Sequence, residues 1–133
     1  MFQLHPTLEK DSLPIFETDA LLIRLINDAR FPWGLIVPRV AAMTELHDLP
    51  DEAYANAMRA SVKLGRVMKA AFAADKINTA AIGNMVPQLH LHIVARTRGD
   101  AAWPGPVWGA GAMVPLDAAE ADRRIALIRD GMS

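Results

Sequence analysis

The sequence has no cysteine among its 133 residues, which excludes disulfide frameworks, thiolate metal sites and cysteine nucleophiles together. It has no surplus of either charge, with 14 Lys and Arg against 15 Asp and Glu and a formal net charge of −1. Without a cationic excess to displace counterions, a nucleic acid polymer is not an expected partner. No apolar run approaches the roughly 20 residues of a membrane span. Met1–Ser12 carries Glu9, Lys10 and Asp11 where a signal peptide would have an apolar core. The expectation is a cytoplasmic protein without a membrane partner. Internal repeats and low-complexity tracts are missing too. What remains is globular material, 52% hydrophobic and 22% charged, sufficient for the core of one domain spanning residues 1–133.

Proline and glycine punctuate the chain. Leu13–Phe16 reads as a short strand that Pro14 confines to a sheet edge. Ala20–Ile26 and Trp33–Val37 read as strands joined through the turn-forming run Asn27-Asp28-Ala29-Arg30-Phe31-Pro32, an antiparallel hairpin. The period then changes. Tyr54, Met58, Val62, Gly65, Met68 and Phe72 recur at spacings of three and four, which predicts an amphipathic helix from about Pro50 to Ala74. Asp48 is its expected cap, and Asp51 and Glu52 suit the helix amino end. Close packing on a sheet is the expected reason for Gly65. Ile77–Ile82 and Leu89–Ala95 complete the strands, and Asp117 with Glu120 three residues on opens a closing helix to about Arg129. Between them, Arg98–Pro115 reads as an arm ordered by contact. Strands in this order with two helices predict an α+β fold, an antiparallel sheet with helices on one face.

The chemistry concentrates in Gln88-Leu89-His90-Leu91-His92-Ile93-Val94-Ala95-Arg96. On a strand, alternate side chains project together. Gln88, His90, His92 and Arg96 therefore share one face, neighbours about 6.5 to 7 Å apart, and Leu89, Leu91, Ile93 and Ala95 share the other. The apolar face is expected to meet the helix and to leave the polar face open to a ligand. Imidazole can serve as nucleophile, acid, base or metal ligand near neutral pH. A paired-histidine strand is thus compatible with a solvated face, with a metal-dependent hydrolase, or with attack on phosphorus by one ring while the other grips phosphate oxygens. Zinc would need a third ligand, and only His5, His47 or a carboxylate could supply it. Asn27 reads first as a turn former, Trp33 as sheet packing, His47 as a helix-entry residue, and Trp103 and Trp108 as pins for the arm.

This stretch resembles the signature of the histidine triad (HIT) superfamily, three histidines alternating with apolar residues on the last strand of the sheet. The middle histidine falls on His90, the last on His92 and the first on Gln88. Leu25-Ile26-Asn27-Asp28 followed by Trp33-Gly34-Leu35-Ile36-Val37-Pro38, and Glu45-Leu46-His47-Asp48-Leu49 before a long helix, are also similar to that family. Residues 15–100 follow its order of elements. Asn-Met-Val-Pro-Gln before the histidines and the Trp-Pro-Gly-Pro-Val-Trp run Trp103–Trp108 resemble a bacterial subgroup.

The resemblance implies a five-stranded antiparallel sheet with a long helix on one face, and residues 101–133 as C-terminal arm and helix. It implies a homodimer that binds nucleotides and needs neither cofactor nor metal. The implied activity is that of a nucleotide phosphohydrolase or nucleotidyl transferase cleaving at an α-phosphate, with a covalent nucleotidyl-histidine intermediate on His90. His92, Gln88 and Asn84 are the implied phosphate contacts, and Asn27 the implied ribose contact. Attack requires a neutral imidazole, so activity is expected to fall in acid as His90 charges. The alternative is a non-catalytic nucleotide-binding or interaction module.

Overall fold

Alternation and turn chemistry place five strands in this chain. The computed structural model describes residues 1–133. The strands are β1 (Ser12–Glu17), β2 (Leu21–Ile26), β3 (Trp33–Pro38), β4 (Lys76–Ala80) and β5 (Leu91–Arg96). They form one antiparallel sheet in the order β1-β2-β3-β5-β4. Three helices accompany it, α1 (Pro6–Lys10), α2 (Asp51–Ala71) and α3 (Ala118–Met132). The α+β fold follows the expected order. Pro14 sits on the edge strand β1, beside an irregularity in its pairing with β2, where a missing N–H does least harm. No helix is long and apolar enough to cross a membrane.

One face of the sheet buries Ile23, Leu25, Ile36, Leu91 and Ile93 against Leu64 and Met68 of α2 and Ile128 of α3. The helix settles closely because glycine stands opposite it. A Cβ on Gly34 would lie 3.1 Å from both Leu64 Cδ2 and Met68 Sδ, and one on Gly65 would lie 3.4 Å from Ile77 Cγ2. Close approach also decides which residues of α2 are buried. Ala57, Ser61, Leu64, Gly65 and Met68 face the sheet, whereas Tyr54 and Val62, expected in the apolar stripe, remain 47% and 61% exposed. Leu64 and Met68 fill the space over Gly34, small residues complete the buried face, and Tyr54 and Val62 flank it. Asp48 does not cap α2. Its carboxylate accepts the Glu45 N–H at 3.2 Å, and Pro50 holds the cap position without a side-chain bond. Asp117 does cap α3, accepting from the Glu120 N–H at 2.8 Å.

The opposite face is not open. Trp33, Leu35, Val37 and Val94 of the sheet pack with Phe31, Leu8 of α1 and Val107 of the arm in a second apolar cluster. The helix α1 escapes a periodicity search because five residues span barely more than a turn. Its signals are local, with Pro6 in the first turn and His5 Nδ1 accepting from the Thr7 N–H at 3.1 Å. The arm is held by charge. Arg96 donates to both carboxylate oxygens of Asp100 at 2.8 and 2.9 Å, and Asp100 also accepts N–H bonds from Thr97, Ala102 and Trp103. At the same end of the sheet, Arg124 donates to the carbonyls of Asp28, Ala29 and Phe31, fixing the β2–β3 turn against α3.

Candidate functional site

Strand alternation carries into the site. His92 and Arg96 share the face of β5 that packs under the arm, and His90, just before the strand, continues the alternation. The two imidazoles are 4.8 Å apart between centroids, at 74° to each other. Both residues are buried, 5% and 8% exposed, yet both line a cavity of about 530 Å³, within the size range of small-molecule sites. The cavity is walled by Thr7, Leu8 and Asp11 on the amino-terminal side, by Trp33 from β3, by the 82–86 loop including Asn84, and by the arm from Val107 to Met113. Arg30 is the one Lys or Arg in its lining. That guanidinium is already committed, donating to Asp28 and to the Ala110 carbonyl.

Each ring has one nitrogen tied to the protein and one left over. His90 Nδ1 lies 2.6 Å from the Gln88 carbonyl oxygen. A carbonyl can only accept, so Nδ1 carries the proton and Nε2 presents a lone pair. His92 is the reverse. Its Nδ1 lies 2.9 Å from the Trp33 indole nitrogen, which can only donate, so Nδ1 is bare and the neutral ring carries its proton on Nε2. Burial, aided by the neighbouring His90, pushes the His92 imidazole down to about 3. Neither Nε2 bonds within the protein, and neither is sealed from solvent. The one sealed side-chain polar atom without a partner is Trp108 Nε1. Trp108 stands edge-on to both Trp33 and His92, ring centres 6.1 and 5.3 Å away, where an aromatic face can receive an N–H.

The other sequence candidates divide. Asn84 borders the cavity and is exposed. Gln88 does not line it. Its Nε2 donates to the Gln3 carbonyl at 2.7 Å and its Oε1 accepts the His5 N–H at 2.8 Å, so its amide is spent on the amino-terminal segment. Asn27 also lies outside the cavity lining, its Oδ1 accepting the Leu116 N–H at 2.9 Å. Arg96 is buried beneath the arm, its guanidinium over the rings of Phe31 and Trp103. His47 is exposed, but lines a smaller cavity of about 250 Å³ that also reaches His90. No three metal-ligating side chains converge anywhere in the chain. Trp33 packs in the sheet as the sequence suggests, and its bond to His92 is additional. That bond joins residues 59 apart in sequence, and only the β3–β5 register, with Trp33 opposite Val94, could have shown it.

The chain matches the family model of the HIT domain over residues 7–99. It matches no curated protein. Among solved structures, it is similar to a histidine triad protein from Bradyrhizobium japonicum at 39% identity. That match covers 99% of this chain and 98% of the other, with a TM-score of 0.96. A histidine triad protein from Marinobacter aquaeolei is 41% identical, with coverage of 98% and 96% and a TM-score of 0.95. A histidine triad nucleotide-binding protein described as hypothetical, from Sulfolobus tokodaii, shares the fold at 15% identity and a TM-score of 0.71, covering 95% of this chain and 87% of that one. The five-stranded sheet, the paired histidines and these matches agree: the chain belongs to the HIT-domain family.

Proposed function

We propose that this protein is a nucleotide phosphohydrolase or nucleotidyl transferase in which His90 attacks the α-phosphorus of a nucleotide ester, polyphosphate or phosphoramidate. The observation that carries the reading is the complementary pair of rings on one cavity, His90 offering an Nε2 lone pair and His92 an Nε2–H. In the first step His90 Nε2 forms a bond to phosphorus as the bond to the leaving group breaks, and the leaving group departs with the electron pair and takes up a proton. In the second, water or another acceptor attacks the same phosphorus and gives up its proton to solvent, the phosphorus–nitrogen bond breaks with its electron pair returning to His90 Nε2, and the nucleoside monophosphate is released or transferred. The Nε2–H of His92 donates to a non-bridging oxygen whose charge grows as His90 attacks. The Gln88 carbonyl steadies the His90 ring as it acquires positive charge. Asn84, on the exposed lip, is a further phosphate donor. The apolar walls from α1 and the arm suit a base and ribose.

The amide of Gln88 and the oxygen of Asn27 are engaged within the protein, and each would have to exchange those bonds to contact phosphate or ribose. The protein acts as one domain, in the cytoplasm and as a homodimer, a state favoured by the exposed Tyr54 and Val62 of α2 and by the unpaired edge of β4. The test is incubation of wild type and His90→Ala with dinucleoside polyphosphates and adenosine phosphoramidates, followed by acid-quenched mass spectrometry. The wild type is expected to turn over and to carry a nucleotidyl adduct on His90, and the variant to do neither. Nucleotide binding with no adduct and no turnover across the panel would instead establish a binding module.

A further inference from the structure

We infer that Trp33 is a positioning residue for this site: its indole N–H holds His92 in the tautomer that donates from Nε2 into the cavity. The inference rests on the phosphoryl chemistry proposed above for its purpose, though not for its geometry. A neutral imidazole has two tautomers, and only one of them can donate to a phosphoryl oxygen from Nε2. The indole N–H is donor-only, and it meets His92 Nδ1 at 2.9 Å in a buried contact. Were the proton on Nδ1, two N–H groups would face each other and a buried donor would lose its acceptor, at a cost of about 1–3 kcal/mol. That penalty alone biases the tautomers by at least about fivefold.

The same contact refuses a second proton. An imidazolium has N–H on both nitrogens and would lose the indole bond, in an environment already short of solvation. No carboxylate bonds to the ring to offset this. The sheet neighbours of His92 are Leu35 on β3 and Ala80 on β4. Trp108 covers it from the arm, and His90 stands beside it on its own strand. The charged groups bordering the shared cavity are Arg30 and Asp11, and Arg30 would further oppose a cation. His92 is therefore an N–H donor of fixed sense, and His90 is the ring of the pair that offers a lone pair. The triad's outer position gains by this a donor that does not depend on pH.

Long-range proton–nitrogen correlation spectra of the wild-type protein, recorded from pH 5 to 9 without substrate, test this directly. The expected result is a His92 ring with Nε2 protonated and Nδ1 bare throughout. Trp33→Phe, which keeps a ring but removes the N–H, is expected to give a mixture of tautomers or a titrating His92. It is also expected to lower kcat about 10- to 100-fold with little change in KM. A wild-type His92 protonated on Nδ1, or titrating near neutrality, overturns the inference whether or not the variant folds. So does a Trp33→Phe protein with unaltered His92 signals. Absence of a nucleotidyl adduct would remove the catalytic reading alone, since the spectra report the tautomer without turnover.

Discussion

Replacing Asp100 with Asn tests whether the arm over the histidine face is fastened by charge. Arg96 and Asp100 are joined by two hydrogen bonds of 2.8 and 2.9 Å, with side chains only 2% and 7% exposed. Removing one partner of a buried pair costs about 3–5 kcal/mol, because the other charge stays buried without compensation. Asparagine keeps one acceptor for the Ala102 and Trp103 amides, and the Arg96 guanidinium retains Asn78 at 3.0 Å and the Phe31 and Trp103 faces. The expected loss is therefore at the low end, about 3 kcal/mol. With a urea m-value of about 1.5 kcal/mol/M for a chain of this size, the midpoint should fall by about 2 M. The pH dependence supplies a second reading. The Arg96 hydrogen bond foremost, with the amides of residues 97, 102 and 103, holds the Asp100 carboxyl at about 2, against about 3.9 for an unfolded aspartate. The unfolded chain thus binds the proton first as acid is added, so this stabilisation is complete above pH 4 and is lost as pH falls towards 2, by about 2 kcal/mol. Asp100→Asn should lack that loss. A midpoint within 0.5 M of wild type, or an unchanged acid slope, would refute the argument.

His92 predicts a separate acid effect. Burial, then His90, holds it at about 3, so below about pH 6.5 the unfolded state takes up a proton that the native state refuses. Stability should decline by up to about 1.4 kcal/mol per pH unit across that window, and His92→Gln should flatten the decline in denaturant titrations followed by circular dichroism. Gln88→Ala removes two bonds to the amino-terminal segment. Hydrogen exchange at the His5 amide should accelerate about tenfold, equivalent to about 1.4 kcal/mol, and unaltered exchange would show that the amide clasp contributes nothing.

The parts of this protein that were legible in the sequence are those written in local patterns. Alternation identified which residues of β5 face together, because a strand's side chains alternate whatever it packs against. Pro14 announced an edge, and Asp117 announced the start of α3. Gly65 and Met68 of the expected α2 stripe are buried and Met58 and Phe72 pack on the core, whereas Tyr54 and Val62 fall outside it, because periodicity ranks residues by hydrophobicity while the face that meets the sheet runs through Ala57, Ser61 and Leu64. The open polar face was misread for a different reason. Arg96 looks like a solvated strand end until Asp100 is folded back upon it, and nothing in a run of glycines and prolines states that Val107 and Trp108 return to cover His92. Contacts of that kind depend on register and on chain reversal, which composition does not encode.

Position 88 is tied into its surroundings by both its side chain and its main chain. Its amide offers one donor and one acceptor to the amino-terminal chain, donating to the Gln3 carbonyl and accepting the His5 N–H. That segment leads into Thr7, Leu8 and Asp11, one wall of the cavity. The main chain of the same residue fixes the other side of the problem, since its carbonyl sets the His90 tautomer. Gln88 therefore couples the placement of the wall to the placement of the His90 ring, while the indole of Trp33 performs the matching task for His92. Two neutral rings of opposite sense result, held by one carbonyl and one N–H, and no titratable side chain is needed at position 88 to maintain them.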